Sequence, residues 1–253
     1  MPTFKDHFSQ VADAYANWRP TYPDALFDAI TAVVPATANV WEPGCGSGQA
    51  TRGLAARFDR VFATDPSDAQ VDQHWAKREN AANVRVAVEP GEANSLADNS
   101  VGLVAVAQAL HWFDRTRFFA ECDRVLQPGG VLAAWTYQDM LFSDDLTPAA
   151  DAFRSQIQSY WPAERAQVDS GYAGYEWPFP ALPSPVLWLT AEWNLPQLLG
   201  YLRSLSATAR CRTATGRDPV QDHAHALASA WGEPLHERTM RWPLILHLRQ
   251  KPW

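Results

Sequence analysis

The stretch VWEPGCGSGQATRGLAARF, from Val40 to Phe58, decides the fold that this sequence predicts. It indicates a short strand, a glycine-rich turn and an amphipathic helix whose apolar residues recur at helical spacing. Gly44, Gly46 and Gly48 occupy alternate positions, where a tight turn needs a positive φ or a backbone without a Cβ atom. We therefore expect a ligand to approach the backbone closely at the carboxyl end of the strand.

The spacing of the glycines argues against a dinucleotide as this ligand. A dinucleotide fingerprint is G-x-G-x-x-G, and here no third glycine follows Gly46 and Gly48 at the required distance. Glu42 lies two residues before Gly44, where its carboxylate repels a pyrophosphate and suits an ammonium group. A nicotinamide-dependent enzyme and a non-catalytic cofactor-binding module remain as alternatives to the interpretation below.

The pattern E-P-G-C-G-S-G, from Glu42 to Gly48, resembles the first motif of class I S-adenosylmethionine-dependent methyltransferases. The resemblance implies an α/β fold: a doubly wound, seven-stranded, mostly parallel Rossmann-like sheet whose last strand is antiparallel. It also implies S-adenosyl-L-methionine as the cofactor. The acidic residue then faces the amino end of the methionine moiety, the glycines and Cys45 border the cofactor, and Glu92 and Ala93 edge the adenine.

Asp65 is the candidate ribose ligand. It ends a predicted buried strand over 61–63 and follows Gly44 by the roughly 20 residues expected of an acid that binds ribose hydroxyls. Two adjacent hydroxyls need two acceptors in one plane, which a carboxylate supplies. Pro66 is placed beside the cofactor with it, and an Asp-Pro turn without a ligand is the alternative. Ser67 is expected to cap the helix that follows.

The segment QALHWF, residues 108–113, follows a predicted fourth strand over Val101–Ala107. Ligands of an open parallel sheet lie beyond the carboxyl ends of the strands, near the switch in strand order, which strands one and four flank. We therefore expect Gln108 to contact the cofactor, and His111 and Trp112 to face the methyl group as catalytic residues. Structural packing of the histidine and the tryptophan is the alternative.

The N-terminal segment FSQVADAYANWRPTYP, residues 8–23, has an apolar helical pattern that stops at the prolines. Its layout, Y-x-x-x-R-P-x-Y-P, resembles the leader of the methyltransferase branch that includes the trans-aconitate methyltransferases (methyltransferase type 11). There the leader folds over the cofactor as a lid. The resemblance implies that Tyr15, Arg19 and Tyr22 face the site, with the arginine reaching a carboxylate. A plain amphipathic arm is the alternative.

The chain is predicted to form a single methyltransferase domain over residues 1–253. RVLQPGG, residues 124–130, resembles a recurrent class I segment that turns a helix over 115–125 into a fifth strand over 131–137. The proline- and aromatic-rich stretch beyond it is too long and irregular for an ordinary loop, which indicates a functional insertion. The predicted parts are a helical lid over 1–34, a cofactor-binding core over 35–138, a substrate cap over 139–184 and the completion of the sheet over 185–253.

Composition limits the partners. The formal net charge of −7 argues against a nucleic-acid partner, and no apolar run approaches the roughly 18 residues of a membrane span. The first residues lack the layout of a signal peptide, so we expect a cytoplasmic enzyme acting on a small molecule. Three scattered cysteines indicate neither disulfides nor a metal site, and His223 and His225 point to different helix faces, so no metal is expected. The oligomeric state is left open.

The acceptor decides whether the reaction needs a base. A carboxylic acid with a pKa near 4 is ionised at pH 7 and needs only an arginine or tryptophan clamp. A hydroxyl or amine must lose a proton, and His111 has a suitable unperturbed pKa of about 6.5. Because Arg19 and Arg203 are available as clamps, we favour O-methylation of a small carboxylate. O- or N-methylation of a hydroxyl or amine, with His111 as base, is the alternative.

Overall fold

The computed structural model describes residues 20–253, apart from the side chain of Arg78. Tyr15 and Arg19, together with most of the predicted lid, lie outside the described residues. The chain enters the described part at Pro20, whose carbonyl accepts a hydrogen bond of 2.5 Å from Gln49 Nε2 in the glycine-rich segment.

One mixed sheet forms the centre of the described residues. Its strands are β1 (Asn39–Pro43), β2 (Arg60–Asp65), β3 (Val84–Val88), β4 (Val101–Ala107), β5 (Leu126–Tyr137), β6 (Ala181–Leu182), β7 (Leu187–Trp193) and β8 (Arg238–Gln250). The order is β3-β2-β1-β4-β5-β8-β6, and β7 also pairs with β8. Strands β1 to β5 pair in parallel, whereas β8 is antiparallel to its neighbours. The predicted doubly wound sheet is confirmed, with the two-residue β6 as an additional strand.

Ten helices in residues 20–253 surround this sheet. They are α1 (Asp24–Thr31), α2 (Gln49–Ala55), α3 (Asp68–Asp72), α4 (Trp75–Glu79), α5 (Arg115–Val125), α6 (Thr147–Ile157), α7 (Arg165–Asp169), α8 (Leu195–Arg203), α9 (Ser206–Thr215) and α10 (Pro219–Trp231), with 3₁₀ turns at Leu110–Trp112 and Gln158–Tyr160. The sequence LPQLLGYLRSLSATAR, residues 195–210, predicts one continuous helix, and the structure shows that this prediction is wrong. Leu205 is extended, with ψ 134°, and buries its side chain, so the helix breaks there into α8 and α9.

Strands β1, β2, β4 and β5 bury side chains on both faces, as expected for a parallel sheet with helices on either side. Successive residues of β5 divide between the faces: Ala133 and Trp135 pack in one core cluster, and Ala134 in the other. Helices α1, α2, α6 and α8 to α10 contribute to the first cluster, and α5 contributes Phe118 and Cys122 to the second. The sheet is therefore packed between two core clusters, one on each face.

The predicted cap segment, residues 139–184, divides between the two faces of the sheet. Phe153 and Ile157 of α6 pack in the first core cluster, whereas Tyr172 and Phe179 pack in the second. The segment therefore crosses from one face of the sheet to the other after it leaves the carboxyl end of β5. Its role in covering an acceptor stays a prediction.

Phe118 anchors the second core cluster, and we expect its removal to destabilise the fold. The side chain is fully buried and its ring centre lies 4.5 Å from that of Phe113. Phe118→Ala should lower the free energy of unfolding by about 3–5 kcal/mol, because the cavity cannot collapse inside a packed layer. Urea unfolding measures the change. Phe119→Ala, at a half-buried neighbouring position, is the control and should cost clearly less; equal losses would contradict the assignment.

Candidate functional site

The glycine-rich turn after β1 has the backbone that the sequence predicts. Gly44, Gly46 and Gly48 have φ values of 67°, 54° and 92°, in the left-handed region that favours glycine. A Cβ atom on Gly44 would lie 2.8 Å from the Cβ of Ala109, just past the end of β4. The turn therefore touches the segment that follows β4, and Cys45 is buried between its glycines.

Glu42 brings a carboxylate into the base of this turn. The residue has no exposed surface, and its Oε2 accepts a hydrogen bond of 2.5 Å from Thr51 Oγ1. Its Oε1 is buried and has no hydrogen-bond partner among the described residues. Burial raises the pKa of Glu42 to about 8, and the nearby charge of Asp65 adds to the effect. A cationic group that pairs with this carboxyl would compensate for its burial, because a buried carboxylate without a partner is costly.

Asp65 ends β2 directly beside the turn. Its Oδ2 accepts the backbone N–H of Gly46 at 3.0 Å, and its Oδ1 accepts that of Ser67 at 2.9 Å. These two bonds fix the orientation of the carboxylate at the carboxyl end of β2. Pro66 follows and is half-buried. Ser67 caps α3 as expected, since its Oγ accepts the N–H of Gln70 at 3.4 Å.

The loop after β3 lies next to the same edge. Glu92 Oε1 accepts the backbone N–H of Asp114 at 2.9 Å, which ties this loop to the start of α5. Ala93 is exposed beside it. A Cβ atom on Gly91 would lie 2.9 Å from the ring of Phe113, so this loop and the segment after β4 are in contact. The adenine-edge role of Glu92 and Ala93 stays a prediction.

Gln108 follows β4 with a positive φ of 51°. Its Oε1 accepts the hydroxyl of Thr136 at 2.7 Å and the backbone N–H of Tyr137 at 2.9 Å. The side chain thus joins the ends of β4 and β5, a structural role that the sequence did not reveal. Any contact of Gln108 with a cofactor stays a prediction.

His111 lies in the 3₁₀ turn after β4, with its Nδ1 3.2 Å from the hydroxyl of Tyr172. Burial lowers the pKa of His111 to about 3, and the nearby charge of Arg165 lowers it further. Because the ring is desolvated, its pKa lies well below the unperturbed value of about 6.5 that would suit a base. Trp112 is half-buried, and its ring centre lies 4.6 Å from that of His111.

Arg165, at the start of α7, is a candidate that the sequence analysis missed. Its side chain is only 16% exposed. The guanidinium Nε donates to Asp169 Oδ1 at 2.6 Å, Nη2 pairs with Asp139, and the group lies 4.3 Å above the ring of Trp161. Since its charge also acts on His111, the fold brings a cation of the insertion to the end of β4. Nothing in the irregular sequence around Arg165 indicates this position.

The structure also shows the surroundings of Tyr22 and Arg203, two further residues that the sequence analysis names as candidates. Tyr22 is half-buried and packs edge-to-face on Trp135, with ring centres 5.7 Å apart. Arg203 is 45% exposed, and its Nε lies 3.7 Å from Asp218 Oδ2 at the start of α10. The structure therefore places Arg203 at the surface.

Residues 20–253 contain neither a candidate metal cluster nor a helix that could cross a membrane. No group of three or more histidine, cysteine, aspartate or glutamate side chains in this range is arranged to hold a metal ion. Among the helices of this range, none combines the length and the apolar character that a membrane crossing requires.

The cofactor implied by the resemblance fits these residues. The buried Oε1 of Glu42 offers an acceptor for an ammonium group, and the positive φ values of the three glycines bend the backbone tightly beside it. Asp65 presents two coplanar oxygens at the end of the neighbouring strand. The donors and acceptors of an amino acid joined to a ribose thus find counterparts along one edge of the sheet.

Comparison with known proteins points to one family. The family model described as a methyltransferase domain matches residues 41–134. A solved structure from Anaeromyxobacter dehalogenans, described as a type II methyltransferase, is 40% identical with a TM-score of 0.86, covering 93% of this chain and 99% of that one. A protein of Dictyostelium discoideum named as a methyltransferase is 29% identical over 90% of this chain and 87% of its own length. A Saccharomyces cerevisiae protein named as an S-adenosylmethionine-dependent methyltransferase is 32% identical over 51% of this chain and 46% of its own length.

Replacing the carboxylate at the end of β2 tests the ribose assignment. Asp65→Asn should weaken binding of S-adenosylhomocysteine by about 10- to 100-fold, because a hydrogen bond to a charged group contributes about 1.5–3 kcal/mol. Isothermal titration calorimetry measures the dissociation constant. Asp68→Asn, an exposed aspartate three residues further on, is the matched control and should bind normally. A folded Asp65→Asn protein with wild-type affinity would overturn the assignment.

Proposed function

The chain belongs to the class I S-adenosylmethionine-dependent methyltransferases, and from this membership we propose that it methylates an oxygen of a small carboxylate. Its cofactor is S-adenosylmethionine, which when bound supplies a methyl group on a positively charged sulfur. Methyl transfer is an in-line displacement, so the work of the protein is to align donor and acceptor and to exclude water.

The cofactor is proposed to lie across the turn between β1 and α2. Glu42 pairs with the ammonium group, the glycines and Cys45 border the ligand, and Asp65 accepts hydrogen bonds from the ribose hydroxyls. The loop with Glu92 and Ala93 then edges the adenine. The support for this placement is the buried, unpartnered oxygen of Glu42 and the contact of the turn with the end of β4.

The observation that carries the acceptor proposal is the desolvation of the His111 ring, which lowers its pKa. A general base works best with a pKa near the operating pH, and a ring with a pKa of about 3 is a poor base for a hydroxyl or an amine. A carboxylic acid needs no base, since it is already ionised at pH 7. We therefore assign His111 and Trp112 to the walls of the acceptor site, with His111 as a neutral hydrogen-bonding group.

Arg165 is the proposed partner of the acceptor carboxylate. Asp169 and Asp139 engage its Nε and Nη2, which sets the plane of the guanidinium, and we assign Nη1 to the acceptor. A planar guanidinium is suited to carboxylates. Both aspartates are about half exposed, so solvent screens their repulsion of an anion.

The same aspartates favour one alternative. Around Arg165 two carboxylates face a single guanidinium, which leaves a local excess of negative charge. Such an environment favours binding of a small amine in its cationic form. The amine would release a proton to solvent before it accepts the methyl group, so N-methylation of a small amine is the second candidate.

An acceptor screen distinguishes the two. The protein is incubated with S-adenosylmethionine and panels of small carboxylic acids, phenols and amines, and release of S-adenosylhomocysteine is measured. Turnover confined to carboxylic acids is the expected result. Turnover confined to amines or phenols would replace the proposal with the alternative.

The pH dependence of turnover tests the role of His111. At saturating cofactor, kcat should stay nearly constant between about pH 5.5 and 8, since neither the acceptor carboxylate nor a histidine with a depressed pKa titrates there. His111→Gln, which keeps a hydrogen-bonding side chain, should retain most of the turnover. A loss of about 10²-fold or more, with a rate that rises with pH, would instead identify His111 as a base.

Substitution of Arg165 tests the carboxylate clamp. Arg165→Gln should raise the KM of the acceptor by about 10- to 100-fold, because a charge-assisted hydrogen bond is lost, while affinity for S-adenosylhomocysteine stays unchanged. Arg165→Lys should recover part of the loss. The matched control is Arg203→Gln, which removes a half-exposed arginine and should leave KM unaltered. An unchanged KM in Arg165→Gln would remove this residue from the site.

A further inference from the structure

Behind the glycine turn, three buried side chains form one hydrogen-bonded row. Thr51 Oγ1 lies 2.5 Å from Glu42 Oε2 and 3.0 Å from His74 Nε2. The opposite nitrogen of the ring, His74 Nδ1, accepts the backbone N–H of Ala76 at 3.1 Å. All three side chains are fully buried, and they join α2 and the start of α4 to the end of β1.

The direction of the hydrogen bonds in this row follows from the backbone. Because His74 Nδ1 accepts from Ala76, it carries no proton in the neutral ring. Burial, with a smaller contribution from the charge of Lys77, lowers the pKa of His74 to about 4, so the ring is neutral at pH 7. Its proton then lies on Nε2 and is donated to Thr51 Oγ1. The threonine hydroxyl is left to donate to Glu42.

The row therefore ends on Oε2 of Glu42 and leaves Oε1 without a hydrogen-bond partner among the described residues. His74 also supports the turn itself, since a Cβ atom on Gly48 would lie 2.7 Å from His74 Nε2. The hydrogen bond from Thr51 favours the ionised carboxylate, whereas burial and Asp65 oppose it. Cys45 is the other titratable group beside Glu42, and burial raises the pKa of its thiol, so it stays neutral.

We propose that Thr51 and His74 are positioning residues that hold Glu42 for the ammonium group of the cofactor, and that Glu42 releases a proton when the cofactor binds. The inference rests on the proposed role of Glu42. The ligand-free carboxyl keeps its proton, because no cation compensates its burial. An arriving ammonium group stabilises the carboxylate, and the proton passes to the solvent.

Calorimetry with S-adenosylhomocysteine, which carries the same ammonium group, measures this proton directly. Titrations at pH 7 in phosphate, HEPES and Tris buffers give the number of protons released from the dependence of the observed heat on the buffer. With a pKa of about 8 for Glu42, release of about 0.9 proton is expected. Affinity should rise roughly tenfold per pH unit below pH 8 and then level off. Glu42→Gln should bind more weakly, release close to no proton and show no such rise.

Variants of the row distinguish positioning from simple packing. Thr51→Val keeps the shape but removes the donor, so the pH at which affinity levels off should move above that of the wild type. Thr51→Ser restores the hydroxyl and should restore the wild-type pH profile. His74→Gln can keep a donor toward Thr51, whereas His74→Asn can keep only the acceptor for the Ala76 N–H. The asparagine variant should therefore weaken ligand binding more than the glutamine variant.

The outcomes separate the inference from its premise. Absence of ligand binding to the wild-type protein would overturn the proposed cofactor site itself. Binding without proton release, or an identical pH profile in Thr51→Val and Thr51→Ser, would leave that site intact and overturn the row as a positioning device. Urea unfolding of each variant confirms that the native fold is being compared.

Discussion

The bend between β1 and α2 is the constraint on which the site depends. Three glycines with positive φ turn the chain so tightly against Ala109 that the first of them has no room for a Cβ atom. The same bend encloses Glu42 and removes it from water. A buried carboxylate is costly unless it is protonated or paired with a cation. The glycine turn and the preference for a positively charged cofactor thus have one physical origin.

The insertion after β5, residues 139–184, places a charged and a polar side chain where they act on His111. Arg165 and Tyr172 of this insertion both act on His111, the first through its charge and the second through its hydroxyl. Tyr172 does so with a positive φ of 62° while buried, a strained conformation that surrounding packing must maintain. The protonation state of the histidine is therefore a property of the assembled insertion.

Elements with strong local patterns could be predicted closely. Strand β4 over Val101–Ala107 and helix α5 over Arg115–Val125 have the predicted bounds, because a continuous apolar run and a capped amphipathic segment each contain their own signal. The break at Leu205 could not be predicted, since a buried leucine ends the helix for reasons of packing. The role of Gln108 could not be predicted either, because its side chain accepts hydrogen bonds from Thr136 and Tyr137 of β5. The position of Arg165 could not be predicted because it pairs with Asp139 as well as with Asp169 of its own helix.

By itself, the sequence determined the doubly wound fold and the turn at Gly44 to Gly48, because backbone sterics and hydrophobic periodicity act between near neighbours. Family membership followed from the same residues. Only the tertiary structure decided that His111 is neutral, that the charge of Arg165 acts on it, and that His74 and Thr51 support Glu42. Desolvation and hydrogen bonding depend on which distant segments meet, and a linear pattern does not specify those meetings.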